Sequence, residues 1–133
     1  MILGIILSAI ITPLYQRNSE LDLETIQLLP AIEGNFIMLE NPTSYSRAYY
    51  SFAPIYYNKT TISGWLDQAI KEEDVKRIYG LNHKFRALDC KEFIAEAKIL
   101  NVGSVITYNE YCGKMEACTN AKIKTEHSCL FVI

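Results

Sequence analysis

Residues 89–108 constrain the fold most, because they predict a helix, a tight turn and a strand in immediate succession. Asp89 and Glu92 have the spacing of a capping box, which marks the start of a helix. Asn101 and Gly103 can end that helix, and the residues that follow them are mainly β-branched or aromatic. We therefore expect a helix over about residues 90–100 that packs on a sheet. The side chains expected to be buried there are Phe93, Ile94, Ala97, Val105 and Ile106.

Further helices and strands are predicted on both sides of this unit. Ser19 can cap a helix that Pro30 and Gly34 end or kink, and residues 36–39 predict a short apolar strand. The apolar face of that helix would comprise Leu21, Thr25, Leu28, Leu29 and Ile32. After residue 108 we expect a loop with two cysteines, and then a hairpin formed by residues 121–125 and 129–133.

The middle of the chain divides into two parts of different composition. Residues 45–65 favour extended structure, because they are rich in tyrosine and β-branched residues. Residues 66–79 predict two short helices, and the Lys71-Glu72-Glu73-Asp74 run between them is typical of a solvated helix face.

Composition supports one folded domain and excludes one class of partner. Half of the 133 residues are apolar and about a fifth are charged, which suits a chain with its own core. Thirteen basic and fifteen acidic residues give a net charge of -2, with no stripe of lysine and arginine, so nucleic acid is not an expected partner. The expected fold class is α/β (α+β), a small mixed sheet with two to four helices and an apolar N-terminal segment.

The first eleven residues carry no charge, and polar residues follow from Gln16. A membrane span needs about 20 apolar residues, and a secretory signal normally has a cationic start and a small-residue cleavage site. Neither pattern is met, so three interpretations stay open: the last turns of a spanning helix that begins upstream, a short uncleaved anchor, or a buried element of the core. We expect residues 1–15 to be an anchor or the end of a spanning helix, and residues 16–133 to be a single α/β domain.

Four cysteines permit two disulfides if the domain faces an oxidising exterior. A Cys112–Cys118 bridge would close a short loop and a Cys90–Cys129 bridge would tie the helix to the last strand, although spacing alone does not fix the connectivity. One alternative is a metal site made of Cys112, Cys118, His127 and Cys129, but the paired C-x-x-C spacing of zinc sites is missing. Free buried thiols are the other alternative. No metal or other cofactor is predicted.

No motif in the sequence predicts an autonomous catalytic site. His83 and His127 are the two histidines, and neither lies in a recognisable motif. We interpret His83 as a surface residue between two helices and His127 as a turn residue. The glycines are isolated, so a phosphate-binding loop is not expected. We name no catalytic residue, and whether the chain is an enzyme stays open, with a non-catalytic role favoured.

Asn58-Lys59-Thr60 is an N-glycosylation acceptor triplet that stands among turn-compatible residues. Asn41-Pro42-Thr43 is excluded as an acceptor by its proline. Glycosylation of Asn58 would agree with a domain on the outer face of a membrane.

Two motifs carry a resemblance to a known family. The first runs from Arg47 through Ala53-Pro54 and Tyr56-Tyr57 to Gly64-Trp65, and it resembles the region after the last spanning helices of large multispanning archaeal membrane proteins. These proteins are relatives of the GT-C glycosyltransferases, and some carry a label relating them to 6-pyruvoyl-tetrahydropterin synthase. Residues 99–106 resemble a second element of the family, in which a helix leads into a strand, with Gly103 and Ser104 in place of lysine and tyrosine. The resemblance covers about residues 36–133.

The resemblance implies a non-catalytic extracytoplasmic domain of a glycosyltransferase-like membrane protein. GT-C enzymes are expected to hold their catalytic acid in an early loop between spanning helices, and no such helices precede residue 1 in this sequence. The implied partners are the membrane and a glycan or lipid-linked sugar, contacted by Arg47, Trp65 and Asp67. For Trp65 the favoured alternative is an indole that plugs the core.

Two other classes of function compete with this one. The first is a soluble module that binds a protein or small molecule, with residues 2–11 as part of its core. The second is a small metal-dependent enzyme built around the C-terminal cysteines and His127.

Overall fold

The computed structural model of the chain describes residues 19–42, 53–62 and 71–133. These residues form a four-stranded mixed sheet with helices on both of its faces, so the fold is α/β as predicted.

Helices and strands alternate along the chain. Helix α1 is Ser19–Leu28, followed by a 3₁₀ turn, Leu29–Ala31, and strand β1 is Asn35–Met38. Residues 53–57 are helical. The remaining elements are α2 (Glu72–Arg86), α3 (Cys90–Ile99), β2 (Val102–Tyr108), α4 (Glu110–Glu116), β3 (Ala121–Lys124) and β4 (Ser128–Val132).

The sheet has the order β1-β2-β4-β3. Strands β1 and β2 run parallel, whereas β4 runs antiparallel to both of its neighbours. A parallel pair requires a long crossover connection, and α2 and α3 lie in the one between β1 and β2. Residues 60–62 lie beside β1, where Phe36 and Thr61 form an isolated parallel bridge. The outer edge of β1 is therefore partly covered by its own chain.

Side chains alternate along the strands between two apolar cores. The first core lies between the sheet and helices α2, α3 and α4, and the second lies between the sheet and α1, the 3₁₀ turn and residues 53–57. Buried members of the first core include Ile37, Phe85, Phe93, Val105, Met115 and Phe131. Buried members of the second include Leu28, Leu29, Phe36, Ile106, Tyr108 and Leu130. The described residues therefore form three layers, with the sheet in the middle.

The unit predicted from residues 89–108 is confirmed. Helix α3 begins after Asp89, whose Oδ1 accepts a hydrogen bond from the backbone N of Glu92 at 3.1 Å. Of the five side chains expected to be buried, Ile94 alone is partly exposed, and it still packs against the first core. The short strand β1, the C-terminal hairpin and the buried face of α1 are confirmed as well.

Three local predictions are wrong. Residues 53–57 are helical and not extended, because Ala53 is buried in the second core and this packing outweighs the β propensity of the segment. The expected loop after β2 contains α4, because Cys112 and Met115, three residues apart, both face the first core. His83 is exposed as expected, but it lies within α2 and not between helices.

Several predictions fall on residues outside the described ranges. These are the N-terminal anchor, the extended segments 45–52 and 63–65, and the first of the two helices predicted over residues 66–79. The second of those helices is α2, and Glu72 and Glu73 in its first turn are exposed. Within residues 19–42, 53–62 and 71–133, no helix is both long and apolar enough to cross a membrane.

Candidate functional site

A polar cleft of about 530 Å³ lies at the edge of the sheet where β1 and β2 begin and β4 ends. Its size falls within the range of about 300–1,000 Å³ that small-molecule sites usually have. The cleft is lined by Gly34, Asn35, Asn58, Lys59, Thr60, Lys98, Asn101, Val102, Gly103 and Ile133.

The floor of the cleft is fixed by the close approach of Glu33-Gly34 to Gly103-Ser104. A Cβ atom on Gly103 would lie 2.5 Å from the carbonyl oxygen of Glu33, so this contact requires glycine. Ser104 Oγ accepts a hydrogen bond from Glu33 N at 2.9 Å and donates one to Glu33 O at 2.7 Å. Gly34 has a φ of 65°, which glycine adopts without strain. These contacts hold the floor of the cleft in place through the protein's own backbone.

Hydrogen bonds between three segments hold the wall of the cleft. Asn35 Nδ2 donates to Asn101 O at 3.1 Å, and Thr60 Oγ1 donates to Asn35 Oδ1. Phe36 N donates to Thr60 O at 2.9 Å. Lys59 Nζ donates to Ile32 O at 2.7 Å, which fixes its ammonium group and leaves two of its protons for another acceptor.

Two asparagines on this wall follow the ends of helices. Asn58 comes after the helical residues 53–57 and Asn101 follows α3, with φ values of 53° and 57°. Asparagine tolerates this left-handed conformation better than most residues, so both are suitable helix ends. Both residues line the cleft.

The cleft carries positive charge from Lys59 and Lys98, and no acidic side chain lines it in the described part of the chain. Glu33, the nearest acid in sequence, is engaged by a hydrogen bond from Lys122. That bond lowers the pKa of Glu33, and the charges of Lys122 and Lys59 add to the effect. Both lysines therefore favour the ionised form of Glu33, whose negative charge in turn acts on Lys59.

A second groove of about 290 Å³ shares Asn101 with the cleft. It is more apolar, and its lining includes Ile62, Arg77, Ile78, Ile99 and Leu100. The polar cleft and the apolar groove therefore lie side by side, with Asn101 between them.

The four cysteines form two disulfides, Cys90–Cys118 and Cys112–Cys129, with Cα–Cα distances of 5.2 and 5.7 Å. The first joins the start of α3 to the segment after α4, and the second joins α4 to β4. The pairing suggested from spacing is wrong, because Cys112 lies beside Thr107, the register partner of Cys129. The interpretation as free thiols and the metal site with Cys112, Cys118, His127 and Cys129 are also wrong, since all four sulfurs are in disulfides.

His127 is a turn residue, as predicted, and it contacts Glu24 of α1. The carboxylate of Glu24 lies 2.9 Å from both the backbone N and the Nδ1 of His127, and it accepts a hydrogen bond from Thr125 Oγ1. Burial opposes ionisation of Glu24, but these hydrogen bonds outweigh it and lower its pKa to about 2. The hydrogen bond to Glu24 raises the pKa of His127, and the charges of Glu126, Glu24 and Glu20 add to the increase.

Among residues 19–42, 53–62 and 71–133, no nucleophilic side chain is hydrogen-bonded to Nε2 of His127. A triad needs a nucleophile at the far ring nitrogen, whereas Nε2 of His127 lies 3.9 Å from Glu126 Oε1. Among the described residues, no group of three or more histidine, cysteine, aspartate or glutamate side chains could hold a metal ion. The pair joins α1 to the turn of the hairpin.

The residues proposed from the sequence have different outcomes. Asn58 is exposed and lies at the cleft, where its side chain is accessible for modification. Arg47, Trp65 and Asp67 lie outside the described residues. The sequence reasoning missed Lys59, Lys98 and Asn101 as site residues, although it singled out the Asn58-Lys59-Thr60 triplet and residues 99–106. Those two motifs meet at the cleft, because the parallel pairing of β1 with β2 brings them together.

No protein-family model, curated protein or solved structure matches this chain.

Proposed function

We propose that the chain is a non-catalytic extracytoplasmic domain of a glycosyltransferase-like membrane protein, held at the membrane by its N-terminal segment. Its role is to contact the glycan or lipid-linked sugar on which the membrane protein acts.

The pair of disulfides is the observation that carries this proposal. Disulfides persist in oxidising compartments and are rare where glutathione and thioredoxin keep thiols reduced. Cys112 and Cys129 are almost completely buried within the first core, so this bridge belongs to the packing of the fold. A domain cross-linked by this buried bridge and by the partly buried Cys90–Cys118 bridge is suited to the outer face of a membrane.

The composition of the cleft supports a role in contacting sugar. Asn35 and Thr60 line one wall, and the amide and hydroxyl groups that bond them to each other can each make a further hydrogen bond. Sugar hydroxyl groups both donate and accept hydrogen bonds.

Fractionation of cells that make the full chain tests the proposal. We expect the chain to sediment with membranes, to resist extraction by alkaline carbonate, and to be digested by protease added on the outer side. The matched control is a chain that begins at Ser19, the first residue of α1, which should be soluble. Recovery of the full chain in the soluble fraction would contradict the proposal and favour the soluble binding module, in which residues 2–11 belong to the core.

A further inference from the structure

We infer that the Cys90–Cys118 disulfide is a site of thiol–disulfide exchange with a dithiol oxidoreductase, a protein partner that contacts Leu88. The Cys112–Cys129 disulfide, in contrast, is a permanent part of the first core. The inference goes beyond the proposed function, because it needs both disulfides to be formed but needs neither attachment to the membrane nor binding of a sugar.

The two disulfides differ in their burial. Cys112 and Cys129 are 4% and 0% exposed, and both belong to the first core. Cys90 and Cys118 are only partly buried, and Cys118 packs against that core without being enclosed in it. A thiolate must reach a sulfur atom in order to attack it, so the rate of exchange depends on access. The Cys112–Cys129 bridge therefore becomes accessible only when the core opens.

Both partners of the more exposed bridge lie at the ends of secondary-structure elements. Cys90 is the first residue of α3, and its neighbours Asp89 and Lys91 are exposed. Cys118 lies in the turn that follows α4, next to the exposed Ala117. Helix ends and turns open locally at a lower free energy than a packed core does. A small local movement can therefore present the sulfurs of this bridge to a reagent while the first core stays closed.

An exposed leucine beside the bridge indicates that the partner is a protein. Leu88 lies two residues before Cys90, is 46% exposed and has a φ of 58°. The other described non-glycine residues with a positive φ are asparagines and one glutamate, and a leucine rarely adopts this conformation. Backbone strain of this kind is concentrated at functional sites. An apolar contact with a partner protein gives a reason for a leucine at this position.

The exchange has two steps. One thiolate of the oxidoreductase attacks the sulfur of Cys90 or Cys118; the S–S bond between them breaks, a mixed disulfide forms, and the other cysteine leaves as a thiolate that takes a proton from water. The second thiolate of the oxidoreductase then attacks the mixed disulfide, which forms its own internal disulfide and releases the remaining cysteine. The bridge gains two electrons and the dithiol loses two. In an oxidising compartment the reverse reaction closes the bridge again.

A trapping experiment on the full chain in detergent tests the inference. The oxidised protein, shown beforehand to contain no free thiol, is mixed with a thioredoxin whose second active-site cysteine is replaced by serine, so that the mixed disulfide is not resolved. Mass spectrometry of the digested complex identifies the linked peptides. We expect linkage through Cys90 or Cys118, and at least about tenfold less through Cys112 or Cys129. Trapping records the first attack, so later unfolding does not obscure the result.

Three outcomes of the trapping experiment would overturn the inference. Linkage mainly through Cys112 or Cys129, or equal linkage through all four cysteines, would show that burial does not decide which bridge reacts. Failure to form any complex would show that the bridge is closed to a protein dithiol. None of these results affects the fractionation test, so failure of the inference and failure of the proposed function are distinguishable.

A substitution of Leu88 tests the contact with the partner. Leu88→Gly should slow formation of the thioredoxin complex about fivefold, the effect of removing one apolar contact from an interface. Reduction by dithiothreitol, a small dithiol, should change less than about twofold, because glycine adopts a positive φ without strain and leaves the bridge in place. Leu23→Ala is the matched control, since Leu23 is an exposed leucine on α1. It should leave both rates within about twofold. Equal changes with the two reagents, or no change with either, would overturn the contact.

Discussion

Glu24 and His127 lie 103 residues apart in the sequence, and their side chains meet at 2.9 Å between Oε1 and Nδ1. This contact joins α1 to the turn between β3 and β4, so it fastens the layer over the second core to the far edge of the sheet. Its strength depends on the charge of both partners, which gives it a defined dependence on pH.

Lowering the pH should weaken the contact by protonating Glu24. The folded-state pKa of Glu24 is about 2, below its value in the unfolded chain, so the unfolded state binds protons more readily as the pH falls. The stabilisation is therefore present above about pH 4.3, the usual value for glutamate, and is lost as the pH falls towards 2. Denaturation with urea between pH 7 and pH 2 measures this loss. Glu24→Gln should flatten this part of the pH profile; an unchanged profile in the variant would contradict the assignment.

Raising the pH should weaken the contact by removing a proton from His127. Its pKa is raised in the folded state, so its contribution is fully present below the unfolded value of about 6.5 and is lost as the pH rises through the folded value. Titration of the imidazole by NMR checks the direction of the shift. His127→Gln should remove this part of the pH dependence, and a titration at or below the usual value in the native protein would show that Glu24 does not hold the ring.

Gly103 should tolerate no side chain, because the floor of the cleft requires the close approach of Glu33. We expect Gly103→Ala to destabilise the fold by about 1–3 kcal/mol, since a Cβ would lie 2.5 Å from a backbone oxygen. Gly80→Ala is the matched control, because Gly80 lies within α2 and a Cβ there meets no atom within 4 Å. That change should stabilise the helix by about 0.5–1 kcal/mol. Equal effects of the two substitutions in thermal unfolding would argue against the close contact.

The buried hydroxyl of Tyr108 should contribute to stability. It lies 3.0 Å from Thr25 Oγ1 and accepts a hydrogen bond from Asn41 Nδ2 at 3.2 Å, so it links α1 to the sheet beneath it. Tyr108→Phe removes the hydroxyl and both hydrogen bonds, so it should lower the free energy of unfolding by about 1–2 kcal/mol. Chemical denaturation of the two proteins measures the difference. A loss below about 0.3 kcal/mol would mean that the hydroxyl is dispensable.

Much of the fold could be predicted from local signals, whereas the site could not. Helix α3 and the C-terminal hairpin are determined by residues close together in the sequence. The capping box at Asp89 and Glu92 predicts the first, and the alternation of side chains predicts the second, so both predictions are confirmed. The helix at residues 53–57 was missed because its cause, the burial of Ala53 under the sheet, is a tertiary contact. The cleft was missed for the same reason, since Lys59 and Lys98 lie 39 positions apart and meet only through the pairing of β1 with β2.

The disulfide connectivity shows the same limit. An even number of cysteines permits two disulfides, but the choice of partners depends on the position of β4 beside β2. Cys129 lies opposite Thr107, and α4 brings Cys112 to the same place.

Reduction of the two disulfides should lower the free energy of unfolding by about 2–4 kcal/mol for each bridge, because the unfolded chain regains the entropy that loops of this length restrict. Urea denaturation with and without reductant measures the cost; an unchanged midpoint would contradict a structural role.

Thiol labelling tests the central claim, that the domain faces an oxidising compartment, most directly. The protein is taken from the cells that make it, denatured without reductant, and treated with a maleimide reagent, and the added mass is measured before and after reduction. We expect no labelled cysteine before reduction and four after it, with peptides linked as Cys90–Cys118 and Cys112–Cys129. Four labelled cysteines before reduction would contradict the assignment to the outer face of the membrane.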